Sequence, residues 1–313
     1  MPLPNFLIIG VPKAGTTTVY KCLRQHPDIF LPDIKEPRFF TYKDKTISDE
    51  DPVNQNTVTD LAEYRSLFRP VSSQTAIGEV SPGYFSDSEA PHLVYEILHS
   101  PKLLVILRNP IKRAFSHFVF AKQKGFEPES ATFEDALENK KVRVENWTRS
   151  RSYVETGYYY KHLTRWRSLF GHDKVKVLFF EDLKSDSISF IQSVYDILRV
   201  NNSFKPDIQS KYAKSGLPKN KIVHRVLTKT GYLKNVFKKI FTTRIVEVIR
   251  QLSEPLRTRL KNMNLEKPKL PNDVYLRLAN KYEQDIRNLE DEVGRDLSHW
   301  LEAPKQTHNF TSS

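Results

Sequence analysis

The chain has 313 residues and a net charge of +12, from 49 Lys and Arg against 37 Asp and Glu. A hydrophobic content of 39% is enough for a core and excludes wholesale disorder. The single cysteine, Cys22, excludes a disulfide scaffold, a zinc cluster built on thiolates and a redox pair within one chain. No apolar run reaches the roughly 18–20 residues of a membrane span. The first apolar segment, Phe6–Ile9, is too short for a leader sequence, so a cytoplasmic protein is expected.

Short apolar runs alternate with helical patterns through the first 200 residues, which predicts an α/β fold with a mostly parallel sheet. Asn5–Gly10 reads as a buried strand and Thr16–His26 as a helix that Pro27 ends. Thr75–Val80 is a second strand, and Glu89–His99 a helix. Leu103–Leu107 is the clearest buried strand. Pro110 comes after it at the start of a helix running to Lys124, where a missing N–H costs little. A helix over Glu155–Phe170, a strand over Val175–Phe180 and a helix over Ser187–Leu198 complete the pattern.

Beyond Asn201 no strand is expected. Lys214–Arg225 reads as a polar loop, Gly231–Leu252 as a basic amphipathic helix and Asp273–Val293 as a long helix, with Leu297 and Trp300 docking on the core. Residues 1–302 read as one domain of P-loop-like, three-layer form, a central sheet flanked by helices with a helical basic C-terminal portion; 303–313 read as a frayed tail. The charge is uneven: residues 201–270 hold 17 basic and 4 acidic residues, the remainder 32 and 33. The surplus therefore belongs to one segment, which favours an anion-facing role for it.

Gly10-Val-Pro-Lys13-Ala14-Gly15-Thr16-Thr17 joins the first strand to the first helix. Two glycines let the backbone curl so that its N–H groups converge on an anion at the helix N-terminus. The glycine spacing is that of a nucleotide-triphosphate loop, but the lysine stands at the fourth position instead of directly after the second glycine. The strand ending in Arg108 also supplies no metal-binding aspartate.

Together with five later segments of the chain, this loop resembles the sulfotransferases that use 3′-phosphoadenosine-5′-phosphosulfate (PAPS), in particular a bacterial branch related to the heparan sulfate enzymes. The matching segments are Pro12–Thr17, His26-Pro27, Lys35-Glu-Pro-Arg-Phe-Phe40, Glu79–Tyr84, Leu107–Ser116 and Gly294–Trp300. They stand in the family's order over nearly the whole chain.

The resemblance implies sulfuryl transfer to a hydroxyl or amine, an in-line displacement in which a protein chiefly positions the reactants and stabilises the leaving charge. It implies that Lys13 holds the bridging oxygen, and that Ala14, Gly15, Thr16 and Thr17 bind the 5′-phosphate. Arg108 and Ser116 would grip the 3′-phosphate, a guanidinium offering bidentate donors. Glu36 matches the family's base, with Glu79 as the second choice; His117 and His92 are available but read as structural. Lys35 would orient Glu36 or the donor, and Tyr84 would face the cleft. Val80 stands where some heparan sulfate relatives have an active-site lysine, so that contact is not implied. Lys219, Lys221 and Arg225 fall in a loop resembling the bacterial segment that folds over the donor. No metal is called for.

Two other classes compete with this reading. A P-loop NTPase or small-molecule kinase is disfavoured by the misplaced lysine. A module for anionic membranes or nucleic acid would use the basic segment, but a helix with one apolar face normally packs on its own core. The expected partners are thus PAPS and a saccharide or small-metabolite acceptor, with the basic segment favouring an acidic one. No nucleic acid is expected.

Overall fold

The computed structural model describes residues 2–47, 56–138, 153–208, 216–218, 265–266 and 268–304. Contacts divide the chain into two units, one formed by residues 1–117, 132–212 and 270–313 and the other by 118–131 and 213–269.

The first unit is built on a five-stranded parallel sheet of β1 (Phe6–Gly10), β2 (Ile29–Phe30), β3 (Ala76–Val80), β4 (Lys102–Leu107) and β5 (Val175–Phe179). Their order across the sheet is β2-β3-β1-β4-β5. In register, Phe6 stands beside Gly78 on one side and Lys102 on the other, and Leu103 beside Val175. β1 and β3 are buried along their whole length. Parallel strands covered on both faces read as unbroken apolar runs, which is why β1 and β4 are plain in the sequence.

Helices α1 (Thr16–Leu23), α2 (Phe39–Tyr42), α3 (Leu61–Ser66), α4 (Ala90–Leu98), α5 (Pro110–Gln123), α6 (Phe133–Glu138), α7 (Tyr159–Phe170), α8 (Phe180–Ser185), α9 (Ser187–Leu198) and α10 (Asn272–Val293) flank the sheet or extend from it. From β1 the chain moves toward β3 and β2; from β3 it crosses back to β4 and then β5. Right-handed crossovers in opposite directions place α1 on one face and α4 and α7 on the other. Accordingly α1 packs on α9, while α7 packs on α4 and α10. The reversal leaves a switch point between the C-terminal ends of β1 and β4, the usual crevice for a ligand in such sheets.

Several boundaries differ from the sequence pattern. The first helix ends at Leu23, three residues before His26. The helix expected from Glu155 starts at Tyr159, because Glu155–Gly157 form a 3₁₀ turn. A side chain at Gly157 would sit 2.6 Å from the Tyr282 hydroxyl, so that turn is pressed against α10. The strand expected to reach Phe180 stops at Phe179, where α8 begins. β2 and α2 are too short to show a periodicity.

In the second unit, β6 (Leu217–Pro218) pairs antiparallel with β7 (Leu265–Glu266). This corrects the expectation of no strand beyond Asn201; two-residue strands carry no alternation to read. The amphipathic stretch Gly231–Leu252 and Arg225 lie outside the described residues. No helix among the described residues is long and apolar enough to cross a membrane.

Candidate active site

The loop after β1 turns directly into α1. Lys13 and Gly15 both occupy the left-handed region, at φ 73° and 83°. Glycine is needed at the second position: a Cβ there would lie 2.6 Å from Leu183 Cδ2 and 3.1 Å from Phe180 Cδ2. No side chain caps α1. Thr18 and Val19 donate to the Gly15 carbonyl, so the helical ladder starts there. The N–H groups of a helix's first turn have no partner within the helix and are open to an anion; here they belong to Thr16 and Thr17. The Thr17 side chain is exposed while Thr16 is buried. Ala14 is spent inside the loop, its N–H donating to Val11 O at 3.2 Å.

At the end of β4, across the switch point, Arg108 Nη1 donates to the Lys13 carbonyl at 2.7 Å. Its guanidinium lies 4.8 Å from the centre of the Phe180 ring. Burial pushes its proton affinity down, opposed by nearby Tyr159 and Glu181. The side chain is half-buried and makes no ion pair among the described residues.

Around Arg108 the backbone is held tightly. Tyr159 Oη donates to the Arg108 carbonyl at 2.8 Å. Asn109, fully buried, caps α5: its Oδ1 accepts from Ile111 N at 3.1 Å and Lys112 N at 2.9 Å. Its Nδ2 donates to Tyr275 Oη at 2.9 Å and to the Trp300 carbonyl at 3.1 Å. Arg295, from the Gly294–Trp300 segment, makes two bonds to Asp182 at 2.5 and 2.8 Å and stacks 4.2 Å over Phe179. That closing segment is thus an anchor for the strand ends. Ser116 is half-buried on α5, two turns beyond Asn109.

The third contribution comes from the end of β3. Glu36 N–H donates to the Val80 carbonyl and Arg38 N–H to Ser81 Oγ, both at 3.1 Å. Lys35 pairs with Glu36 Oε1, and Arg38 Nη2 with Glu36 Oε2 at 3.0 Å. Burial alone pushes the Glu36 carboxyl up, but the charges and hydrogen bonds of Lys35 and Arg38 outweigh it and hold the group below the usual carboxylate range. The Glu36 side chain remains 28% exposed. Tyr20 Oη, on α1, donates to Pro32 O at 2.7 Å and so ties the helix after the Gly10–Thr17 loop to the chain leading into Lys35.

Glu79 and Tyr84 do not stand as cleft residues. Glu79 is 1% exposed and Tyr84 fully buried. Glu79 Oε1 accepts from Tyr84 Oη at 2.8 Å and Tyr64 Oη at 3.1 Å, and Oε2 from Ser81 Oγ at 2.8 Å. Neither presents a polar atom to a substrate. A tyrosine one turn past a strand can face either side, and Glu79 turns this one inward. Burial raises the Glu79 carboxyl to about 7 against the three hydroxyl donors, with nearby Glu36 adding to the rise. Lys219 and Lys221 lie outside the described residues.

Among the expected residues, the structure brings Arg108 onto the Lys13 carbonyl, Lys35 onto Glu36, and Tyr84 onto Glu79. Sequence reading missed Asn109, Tyr159 and Phe180 as supports; the first and last carry only a signal of position, each standing just past the end of a strand.

The sequence model of the family described as Sulfotransferase domain matches residues 3–215, well over half of the chain. The chain belongs to this sulfotransferase family. It is 32% identical over 197 residues to the human heparan sulfate glucosamine 3-O-sulfotransferase 3B1, an alignment covering 63% of this chain and 46% of that protein. It is 29% identical over 246 residues to rat carbohydrate sulfotransferase 15, covering 63% and 44%. The chain thus spans about half the length of the curated relatives it matches. Among solved structures, a sulfotransferase from Alicyclobacillus acidocaldarius superposes with a TM-score of 0.73 at 24% identity, over 96% of this chain and all of that one. The likeness shows that this sulfotransferase-family chain shares its fold with that structure.

Proposed function

We propose that the chain transfers a sulfuryl group from PAPS to a hydroxyl or amine of a saccharide acceptor. The observation that carries this reading is Arg108: a half-buried cation at the switch point, bonded to the phosphate loop and without an ion-pair partner among the described residues. Such a group is completed by an anion. Gly15, where a Cβ would strike Leu183, lets the loop pack tightly on α8 and turn into α1, whose first-turn N–H groups fit a phosphate. Both features suit a nucleotide with phosphates at two ends.

When bound, PAPS supplies an activated sulfuryl group, whose S–O bond to the bridging oxygen breaks as the acceptor atom bonds to sulfur. Lys13 neutralises the charge left on that oxygen, and Gly15, Thr16 and Thr17 hold the 5′-phosphate. Arg108, with Ser116, holds the 3′-phosphate and selects for it. Glu36, kept ionised at neutral pH by Lys35 and Arg38, accepts the proton of the attacking hydroxyl. Lysine and N–H donors carry the charge in this scheme without a metal ion. The names of the relatives, which act on heparan sulfate glucosamine and on carbohydrate, favour a saccharide over a small metabolite.

The test is transfer of ³⁵S from labelled PAPS to heparan sulfate, chondroitin sulfate and a neutral glycan, together with thermal stability in adenosine 3′,5′-bisphosphate. Label in a saccharide that Lys13→Ala abolishes, and stabilisation that Arg108→Ala removes, are expected. No label and no stabilisation by the bisphosphate would overturn the reading.

A further inference from the structure

The chain places two carboxylates, Glu36 and Glu79, at the end of one strand, and only Glu36 reaches solvent. The other sits beneath it in a closed set of hydroxyls. Glu79 accepts three hydrogen bonds, from Tyr64 on α3, from Tyr84 in the 3₁₀ turn after β3 and from Ser81. An ionised carboxylate accepts only, so it matches three donors at once. The bond to Glu79 fixes the Ser81 proton in one direction and leaves the oxygen's lone pairs facing Arg38 N–H at 3.1 Å.

That contact falls where the backbone needs it. Glu36 and Arg38 flank Pro37, and both occupy the left-handed region, at φ 62° and 53°. For residues with a Cβ this costs about 1–2 kcal/mol each, and it persists only where surroundings over-determine it. The pins include Glu36 N–H on Val80 O, Val58 N–H on Pro37 O at 2.9 Å and Arg38 N–H on Ser81 Oγ. This turn sets which way the Glu36 carboxylate points between Lys35 and Arg38.

We propose that Glu79 is a positioning residue: through the Ser81 hydroxyl it holds the Glu36–Arg38 turn in the conformation that aims Glu36 at the acceptor. The proposal rests on the reading of Glu36 as proton acceptor. It assigns the buried carboxylate no contact with substrate. Glutamine at position 79 would instead donate to Ser81 Oγ and compete with Arg38 N–H for its lone pairs, which makes Glu79→Gln an informative change of nearly equal size.

Two readouts test this at about pH 8, above the titration of Glu79. The first needs no acceptor: amide hydrogen exchange of the peptide covering residues 36–38. Exchange faster by about tenfold or more is expected in Ser81→Ala and Glu79→Gln, with Ser81→Thr restoring protection. Unchanged exchange in both would overturn the proposal. The second is transfer from PAPS to heparan sulfate. A fall in kcat between about ten- and a hundredfold, with the KM for PAPS unchanged, is expected for Ser81→Ala and Glu79→Gln, and recovery in Ser81→Thr.

Glu36→Gln, run alongside, separates the two ideas. If it keeps wild-type kcat, the proton-acceptor reading fails. If it is inactive while Ser81→Ala keeps wild-type kcat, the positioning role fails alone. Loss of activity in Glu79→Gln only, with the other two active, would make Glu79 itself the proton acceptor and overturn the proposal. Should no label transfer, the proposed activity fails and the exchange measurement still decides whether Glu79 sets the turn.

Discussion

Gly15→Ala tests the packing of the Gly10–Thr17 loop against α8. Two terms oppose an alanine. At φ 83° a Cβ-bearing residue costs about 1–2 kcal/mol. The new methyl would also stand 2.6 Å from Leu183 Cδ2 and 3.1–3.2 Å from two Phe180 ring atoms, and overpacking of this kind costs about 1–3 kcal/mol. Together they predict a loss of about 2–5 kcal/mol, which for a chain of this size is a fall in Tm of about 3–8 °C. The Leu183 contact is with the end of a flexible side chain and can be relieved. Leu183→Ala alone costs about 2–5 kcal/mol through its cavity, yet combined with Gly15→Ala it should recover about 1 kcal/mol or more relative to simple addition. Urea unfolding of the four proteins gives that coupling directly. If Gly15→Ala lies within about 0.5 kcal/mol of wild type and shows no coupling, the loop does not take this conformation.

Asn109→Ala removes the two caps of α5 and both bonds to Tyr275 and Trp300. A loss of about 2–4 kcal/mol in urea unfolding is expected; a loss below about 0.5 kcal/mol would show that the C-terminal segment is held otherwise. Glu79 makes stability depend on pH. Its folded value of about 7 lies above the ordinary 4.5, so the folded chain binds the extra proton between them. Its contribution is complete below about pH 4.5 and is lost as pH rises through about 7, in total on the order of 3 kcal/mol. Unfolding free energies at about pH 5 and pH 8 should therefore fall more steeply in wild type than in Glu79→Gln; parallel slopes would contradict the burial of this carboxyl.

The residues that carry charge were legible in the sequence, because Lys13, Arg108 and Glu36 stand in short segments beside strands whose apolar runs mark them. What those residues lean on was not. Phe180 continues an apolar run without a break, so the start of α8 under the Arg108 guanidinium leaves no mark. Tyr159 reaches the Arg108 carbonyl across 51 positions of chain, a relation that periodicity does not encode. Glu79 and Tyr84 show the complementary failure: residue type and place beside a strand suit a cleft or a core equally, and only the positions of Tyr64 and Ser81 decide for the core. The two-residue strands β2, β6 and β7 fall below the length at which alternation exists.

The tie between Asn109 and Trp300 joins positions 191 residues apart. The match to the family's sequence model stops at residue 215, whereas Tyr275, Tyr282 and Trp300, all buried in the first unit, come after it. The span that the sequence model matches and the span that must be synthesised together are therefore different. A fragment cut where that match ends would keep Lys13, Glu36 and Arg108. It would lack α10, leave Asn109 Nδ2 without both of its acceptors, and expose the face of α7 that α10 covers. Expression for biochemistry should thus extend through Trp300, and swaps of the phosphate loop between relatives should carry their own C-terminal segment with them.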